Sequence, residues 1–518
     1  MTSEQPNFLI LYTDQQQGAQ LGCMGHPDLK TPHLDSLARD GVCFERAYTP
    51  NTVCMPARNS LITGLNPRGH RVAQNGCRPR TELATIPGIL AAAGYRTHAA
   101  GKLHLEPANL PTGVGPDAVD PAAFPEAREL WSSGRVTEMP LPYYGFETVE
   151  MAGGHGDHLW GDYMQWLRAN DPDAAPLLQR EHARKPPSGA WQSWKSAVPA
   201  ELHVNKWVAD RTIDFLADMA RGSRPFLCWT SFPDPHFPWC PAHPYDEIYD
   251  PATLQLPWDA DAPLLTSPTS AASFARCVFG DVDPTARQGA ALREISAHAY
   301  GMISHVDEQV GRVLAALEAT GLRRNTIVVF MSDHGEMLGR RGLLAKGPYN
   351  VEELIRVPLL MSCPERFAAG RRCKSVVSTL DVPATILDLA GCEYPEHPWA
   401  VAVAQCGLPP ALPGVSLNPV LEGTADRVRN RALVEFDEDW TGSTVRARLR
   451  SLVTDQYKLN YYAGEDFGEI YDLQADPREQ NNLWNDAGAR TLRASLMEAL
   501  ADEVIATESW LPRRLTLC

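Results

Sequence analysis

The sequence predicts an α/β protein. Its body is a large, mainly parallel sheet sandwiched by helices, and a smaller C-terminal α+β domain carries a short antiparallel sheet. Three observations predict this. Short, wholly apolar runs alternate with stretches of helical periodicity, which is how strands buried on both faces read. Two of those runs end in acidic and nitrogenous side chains, where open α/β sheets build their sites. Beyond about residue 425 the periodicity gives way to closely spaced strands and one closing helix.

The elements follow in order. Asn7–Tyr12 (NFLILY) is the first buried strand, ending at Thr13-Asp14-Gln15. Leu83–Gly94 is helical, Arg96–Ala100 a strand and Pro225–Thr230 another buried strand. Glu294–Ala319 has helical spacing, with Ile303, Val306, Val310 and Leu314 on one face and a stop at Gly321. Thr326–Met331 (TIVVFM) repeats the first design and ends at Ser332-Asp333-His334-Gly335-Glu336. Between them, residues 106–199 are rich in Pro and Gly and carry five tryptophans: Trp131, Trp160, Trp166, Trp191 and Trp194. This segment reads as an irregular insertion, either a substrate lid or a surface excursion anchored by its tryptophans. The main α/β domain is thus expected over 1–425 and the C-terminal subdomain over 426–518. The latter has strands at Arg431–Phe436, Arg448–Thr454, Tyr457–Tyr462 and Glu469–Leu473, and a helix at Arg490–Ile505.

Composition narrows the function. The net charge is 47 − 63 = −16, so neither nucleic acid nor an anionic membrane is an expected partner. No basic segment followed by a long apolar run opens the chain, and the expectation is a cytoplasmic protein. The 12 cysteines have no compact framework and read as mostly reduced core residues. Cys23, His26 and His33 lack the spacing of a zinc site.

The chemistry gathers in ordered motifs. Val53-Cys54-Met55-Pro56-Ala57-Arg58 has the pattern Cys-x-Pro-x-Arg and leads into Ser60-Leu61-Ile62-Thr63-Gly64. Further pieces are Lys30-Thr31-Pro32-His33-Leu34-Asp35, Gly101-Lys102-Leu103-His104 and Pro235-His236-Phe237-Pro238. Lys346 follows the Asp333 motif, and Glu469-Ile470-Tyr471-Asp472-Leu473 stands near the end with Asp476-Pro477. Taken together, and in this order, they resemble the type I sulfatases of the alkaline phosphatase superfamily over nearly the whole chain. The Asp14-Gln15 pair resembles the form found in choline sulfatases and phosphonate monoester hydrolases, where many sulfatases carry two aspartates.

The resemblance implies hydrolysis of a sulfate monoester to an alcohol and inorganic sulfate. It implies that a formylglycine-generating enzyme oxidises Cys54 to an aldehyde that hydrates to a diol. One hydroxyl then attacks sulfur and the other collapses to expel sulfate. Asp14, Gln15, Asp333 and His334, with the modified Cys54, are the implied ligands of one divalent cation. Oxygen-rich coordination with one imidazole favours Ca²⁺ or Mn²⁺ over Mg²⁺. Arg58, one turn beyond Cys54, is expected to reach back and fix the diol. Pro56 suits a helix's first turn, which places Cys54 at the positive end of the dipole. Lys102 and Lys346 are expected to bind sulfate oxygens, His104 to act as base, and His236 or Lys346 to protonate the leaving alcohol. Asn75, expected with Lys102, His236 and Lys346 to bind substrate, is the residue that resembles the phosphonate and phosphodiester hydrolases of the same superfamily. Met55 stands where the family usually has a small residue, which predicts slower oxidation of Cys54.

Two other readings fit the sequence less well. A thiol phosphatase needs Cys and Arg separated by five residues, whereas Cys54 and Arg58 are separated by three. A non-catalytic binding protein should have lost part of the constellation, and every member is present. The leaving group stays open between aryl, sugar and small alkyl alcohols, with the tryptophan-rich segment expected to line its subsite. A homo-oligomer in which the tail after Trp510 docks on a neighbour is a further expectation.

Overall fold

A computed structural model of the chain describes residues 5–257, 283–394, 412–439 and 446–508. The tail after Trp510 lies outside the described residues. A nine-stranded sheet forms the body. Its strands are β1 (Asn7–Thr13), β2 (Val42–Phe44), β4 (Arg96–Gly101), β5 (Thr148–His155), β6 (His158–Gly161), β7 (Phe226–Ser231), β8 (Thr326–Ser332), β10 (Leu359–Ser362) and β11 (Arg371–Cys373). Their order is β11-β2-β10-β8-β1-β7-β4-β5-β6. Pairing is parallel from β8 through β1, β7 and β4 to β5, and antiparallel where β10 and β6 join. Three short strands, β3 (Ala47–Tyr48), β9 (Arg356–Val357) and β12 (Val377–Ser378), form a side ribbon.

The apolar runs make central strands because both of their faces are covered. Phe8, Ile10 and Tyr12 face one core with Val329, Met331 and Trp229, packed by Leu61 and Ile62 of the helix Cys54–Thr63. Leu9 and Leu11 face the other with Val328, Phe330 and Cys228. There they meet Trp207 and Leu216 of helix Val204–Met219, and Val306 and Val310 of helix Gly289–Ala319. The alternation is the two-residue period of a strand. The expected helix at 294–319 starts earlier, at Gly289, and Leu314 sits at the margin of the stripe that Val313 and Leu317 complete.

The segment 106–199 is not wholly an insertion. Its stretch Thr148–Gly161 supplies β5 and β6, and β5 pairs in parallel with β4. Trp131 and Trp160 are core anchors, donating their indole hydrogens to the carbonyls of Pro125 and Glu126 at 2.8 and 2.9 Å. An amphipathic ring with one satisfied N–H is well suited to pin a loop-rich segment. Trp191 is different: it packs against Phe237 and Trp239 beside the Pro235–Pro238 loop.

Near the C-terminus, β13 (Arg431–Asp439), β14 (Arg446–Thr454), β15 (Tyr457–Tyr462) and β16 (Gly468–Asp472) form an antiparallel sheet in sequence order. Leu433, Leu452, Leu459 and Ile470 pack on Leu496 and Leu500 of the closing helix Arg490–Ala506. From the opposite face, Ala432 and Val434 join the core around Tyr349 and Leu343, and Phe436 packs with Val53, the residue before Cys54. Among the described residues no helix is long and apolar enough to cross a membrane. The described cysteines are all free thiols.

Candidate active site

The register of the sheet assembles the site. Thr13 lies opposite Ser332, Tyr12 opposite Ser231 and Gly101 opposite Ser231. Four parallel strands therefore end at one level, and Asp14, Asp333, Lys102 and the His236 loop emerge together at their carboxyl ends. Backbone bonds continue the ladder past the strands: Asp14 donates to the Asp234 carbonyl at 3.3 Å and Lys102 to that of Ser231 at 2.9 Å. Gly101 is required there. Its φ is +97°, and a Cβ would lie 2.0 Å from the Ser231 oxygen.

Cys54 opens the helix Cys54–Thr63, every residue of which is buried. The N-cap Val53 has no side-chain acceptor to offer. Two asparagines take over: Asn51 accepts the Val53 N–H at 2.7 Å and Asn75 accepts the Met55 N–H at 3.0 Å. Asn75 thus caps, from a distance, the helix that Cys54 opens. The Met55 sulfur accepts the Gly76 N–H at 3.1 Å, so this larger side chain is held in the same turn.

Around Cys54 stand two carboxylates, an imidazole and an amide. Asp14, Cys54, Asp333 and His334 offer ligand atoms all within 4.8 Å of one another. His334 turns Nδ1 to the Gly335 carbonyl at 2.9 Å, so that nitrogen carries the hydrogen. Its Nε2 faces the Cys54 sulfur at 3.3 Å. An imidazole oriented by a backbone carbonyl is how metal-binding histidines are held. Gln15 is fixed by its amide nitrogen on Glu336, which leaves Oε1 on the Lys346 side at 2.9 Å. Its backbone is in the left-handed region at φ 68°. Asp333 Oδ1 accepts the Gln15 and His334 backbone hydrogens, each at 2.9 Å. Two buried carboxylates, an amide oxygen and one imidazole suit a divalent cation with a preference for oxygen ligands.

Cations balance this charge. Arg58 is wholly buried and donates Nε to Asp333 Oδ2 at 2.9 Å and Nη1 to the Lys102 carbonyl and Ser231 hydroxyl at 3.0 and 3.1 Å. Its Nη2 lies 3.7 Å from Asp14, and the guanidinium stacks over Tyr12. The hydrogen bonds of Arg58 thus go to the Asp333 carboxylate and the strand ends, where a direct hold on Cys54 was expected. Lys102 bonds to Asp14 Oδ2. The Lys346 ammonium meets the Cys54 sulfur at 3.1 Å, His334 Nε2 at 3.2 Å and His236 Nε2 at 3.3 Å. Burial alone would raise the Cys54 thiol, but Lys346, Lys102, His334 and a hydrogen bond from His104 hold it well below its usual range. Burial and the Cys54 charge would likewise raise Asp14, yet Lys102, His236 and Arg58 pull it far down. For Asp333, burial and the nearby Asp14 prevail and its carboxyl is raised.

The remaining expected residues are placed as follows. His104 is bent into the site by a φ of 51° and leaves its buried Nδ1 without a partner in the structure. His236 turns Nδ1 to the Phe237 carbonyl. A carbonyl only accepts, so Nε2 has the free lone pair and takes a hydrogen bond from Lys346. Three neighbours had no assigned role in the sequence reading. Glu336 holds Gln15, and its fixed place two residues after His334 was the available signal. Ser231 and His155 had none, because each is the last residue of a strand and is brought in by the sheet.

Comparison with known proteins agrees with this geometry. The sulfatase family model matches residues 6–392, and that of the N-sulphoglucosamine sulphohydrolase C-terminal region matches 340–505. The arylsulfatase of Clostridium perfringens is 28% identical, covering 93% of this chain and 90% of that protein. The choline-sulfatase of Rhizobium meliloti is 28% identical over 93% of this chain and 83% of its own length. The crystal structure of the phosphonate monoester hydrolase of Agrobacterium radiobacter superposes with a TM-score of 0.76 at 26% identity, covering 97% of this chain and 96% of the other. With its family model spanning most of the chain and its motif residues gathered at one end of the sheet, the chain belongs to the sulfatase family and is a sulfuric ester hydrolase.

Proposed function

We propose that the chain hydrolyses a sulfate monoester of a small alcohol or saccharide, using formylglycine made from Cys54 and one divalent cation, Ca²⁺ or Mn²⁺ rather than Mg²⁺. The observation that carries this is the buried ring of Asp14, Asp333 and His334 around Cys54 at a helix N-terminus, faced by Lys102, Lys346 and Arg58. Asp14, Gln15, Asp333 and His334 would hold the cation. When bound, it supplies Lewis acidity toward a sulfate oxygen and lowers the pKa of the attacking hydroxyl. The hydrated aldehyde supplies two hydroxyls, one for attack and one for release of sulfate.

The chain's own residues do the rest. Lys102 and Lys346 bind the anionic oxygens and stabilise charge that develops on them. The N-terminus of helix Cys54–Thr63 adds the positive end of its dipole. Arg58 keeps Asp333 and Asp14 aligned and helps hold Asp14 ionised. His104, beside Cys54, takes the proton of the second hydroxyl. Because His236 Nε2 accepts from Lys346, the ammonium of Lys346 is the proton donor to the leaving alcohol, and His236 orients it.

A second reading, phosphonate monoester or phosphodiester hydrolysis, is favoured by Gln15 in place of a second aspartate. The pair Lys102 and His104 favours sulfate, and Asn75, the residue that resembles the phosphonate hydrolases, is engaged in capping Met55. The test is to co-express the chain with a formylglycine-generating enzyme, weigh the Cys54 peptide, and assay sulfate, phosphonate and phosphodiester substrates side by side. Aldehyde at Cys54 with the largest kcat/KM on a sulfate ester is the expected result. An unmodified thiol, or a larger kcat/KM on phosphodiesters, overturns the proposal.

A further inference from the structure

We propose that His155 is a positioning residue for protonation of the leaving alcohol, acting through His236. The inference rests on the sulfate ester reading above. His155 is the last residue of β5, inside the segment whose sequence reads as an insertion. Its ring lies face to face on that of His236, with centroids 3.7 Å apart and planes at 22°. Phe237 tilts against both rings, at 4.3 Å from His236 and 6.0 Å from His155. The hairpin that carries His155 is pressed on the His236 loop: a Cβ on Gly156 would fall 2.3 Å from Pro238 Cγ. His155 Nδ1 is buried without a hydrogen-bond partner in the structure. Burial, and then the neighbouring His236 ring, hold His155 well below the usual histidine range.

A stacked face leaves His236 only in-plane contacts. One edge donates Nδ1–H to the Phe237 carbonyl, and the other accepts from Lys346 at 3.3 Å. Fixing the ring plane fixes the direction in which one ammonium hydrogen is spent, and hence where the others point. In the step this serves, a hydroxyl of the hydrated Cys54-derived aldehyde bonds to sulfur as the sulfur–oxygen bond to the alcohol breaks, and the departing alkoxide takes a proton from the Lys346 ammonium. The resulting amine recovers a proton from water. Such help matters for a poor leaving group and little for an acidic phenol, whose oxygen leaves without a proton.

The experiment uses the matured full-length enzyme and two substrates, 4-nitrophenyl sulfate and a simple alkyl sulfate. His155→Ala is expected to lose about 10- to 100-fold in kcat on the alkyl ester, at the lower end of what general-acid help supplies. On the aryl ester the loss is several-fold smaller, and KM moves little on either. His155→Phe keeps a stacking face and is expected to recover most of the alkyl activity. Equal losses on both esters, or a phenylalanine variant as poor as the alanine one, overturns the inference while leaving the sulfatase reading intact. A matured wild-type enzyme that cleaved neither these esters nor any other sulfate ester offered would overturn both. Thermal unfolding of each variant shows whether a lost activity is a lost fold, and the phenylalanine variant tests the idea if alanine does not fold.

Discussion

At the scale of single residues, the site depends on side chains that touch no reacting atom. Glu336 accepts the Gln15 amide and the Leu338 and Ala345 backbone hydrogens. Its burial raises its pKa, with those three donors and Lys346 opposing the rise. One carboxylate thereby decides which end of the Gln15 amide faces Lys346 and the proposed cation site. Glu336→Gln would set an amide against an amide and free Gln15 to turn over. The expected outcome is a loss of about 10- to 100-fold in metal affinity, the range for removing an outer partner of a ligand. Titrating the stripped enzyme with Mn²⁺ checks it, and an unchanged affinity would show that Gln15 is no ligand. Arg58 illustrates the same logic: a buried guanidinium with carboxylates on two edges is held by charge balance, and removing it would strand both acids.

At the scale of elements, the helix Cys54–Thr63 needs its ends managed because it is buried all round. Asn51 and Asn75 supply the missing caps, while Gly64, at φ 72°, closes the helix by returning its N–H to Ser60. Asn75→Ala is expected to cost about 0.5–2 kcal/mol of stability, as the loss of an N-terminal cap does. Denaturant unfolding reads this directly. A substitution that lowered activity without touching stability would instead return Asn75 to the substrate-binding role its sequence position suggested. The β5–β6 hairpin is the element least legible in advance. Thr148–His155 contains Gly153 and Gly154 and little apolar alternation, so its strand character comes from pairing with β4.

At the scale of the whole molecule, buried histidines make the fold acid-sensitive. Burial drives His70 and His98 down to about 3, and His203 and His298 down to about 4. In the unfolded chain each titrates near 6.5. The unfolded state therefore binds more protons below that pH, and stability is fully present above about pH 6.5 and falls as pH drops toward 4. Each histidine removes up to about 1.4 kcal/mol per pH unit across that window. The Tm, followed by calorimetry at constant ionic strength, is expected to fall steadily from pH 6.5 to 4.5. A flat Tm over that range would mean these rings find proton partners in the native state.

Sequence alone determined the mainly parallel architecture, the antiparallel C-terminal sheet and the list of chemical groups. Apolar runs such as Asn7–Tyr12 and Thr326–Met331 report burial on both faces, and the motif residues are fixed by local spacing. It was silent on who holds whom. That Arg58 clamps Asp333, that Asn75 caps Met55, that Trp160 bonds to the Glu126 carbonyl, and that His155 stacks on His236 are all contacts between residues far apart in the chain. Such contacts are set by strand register and by which loops end at the same level of the sheet. No local period encodes that register, because it is decided by packing summed over the entire core.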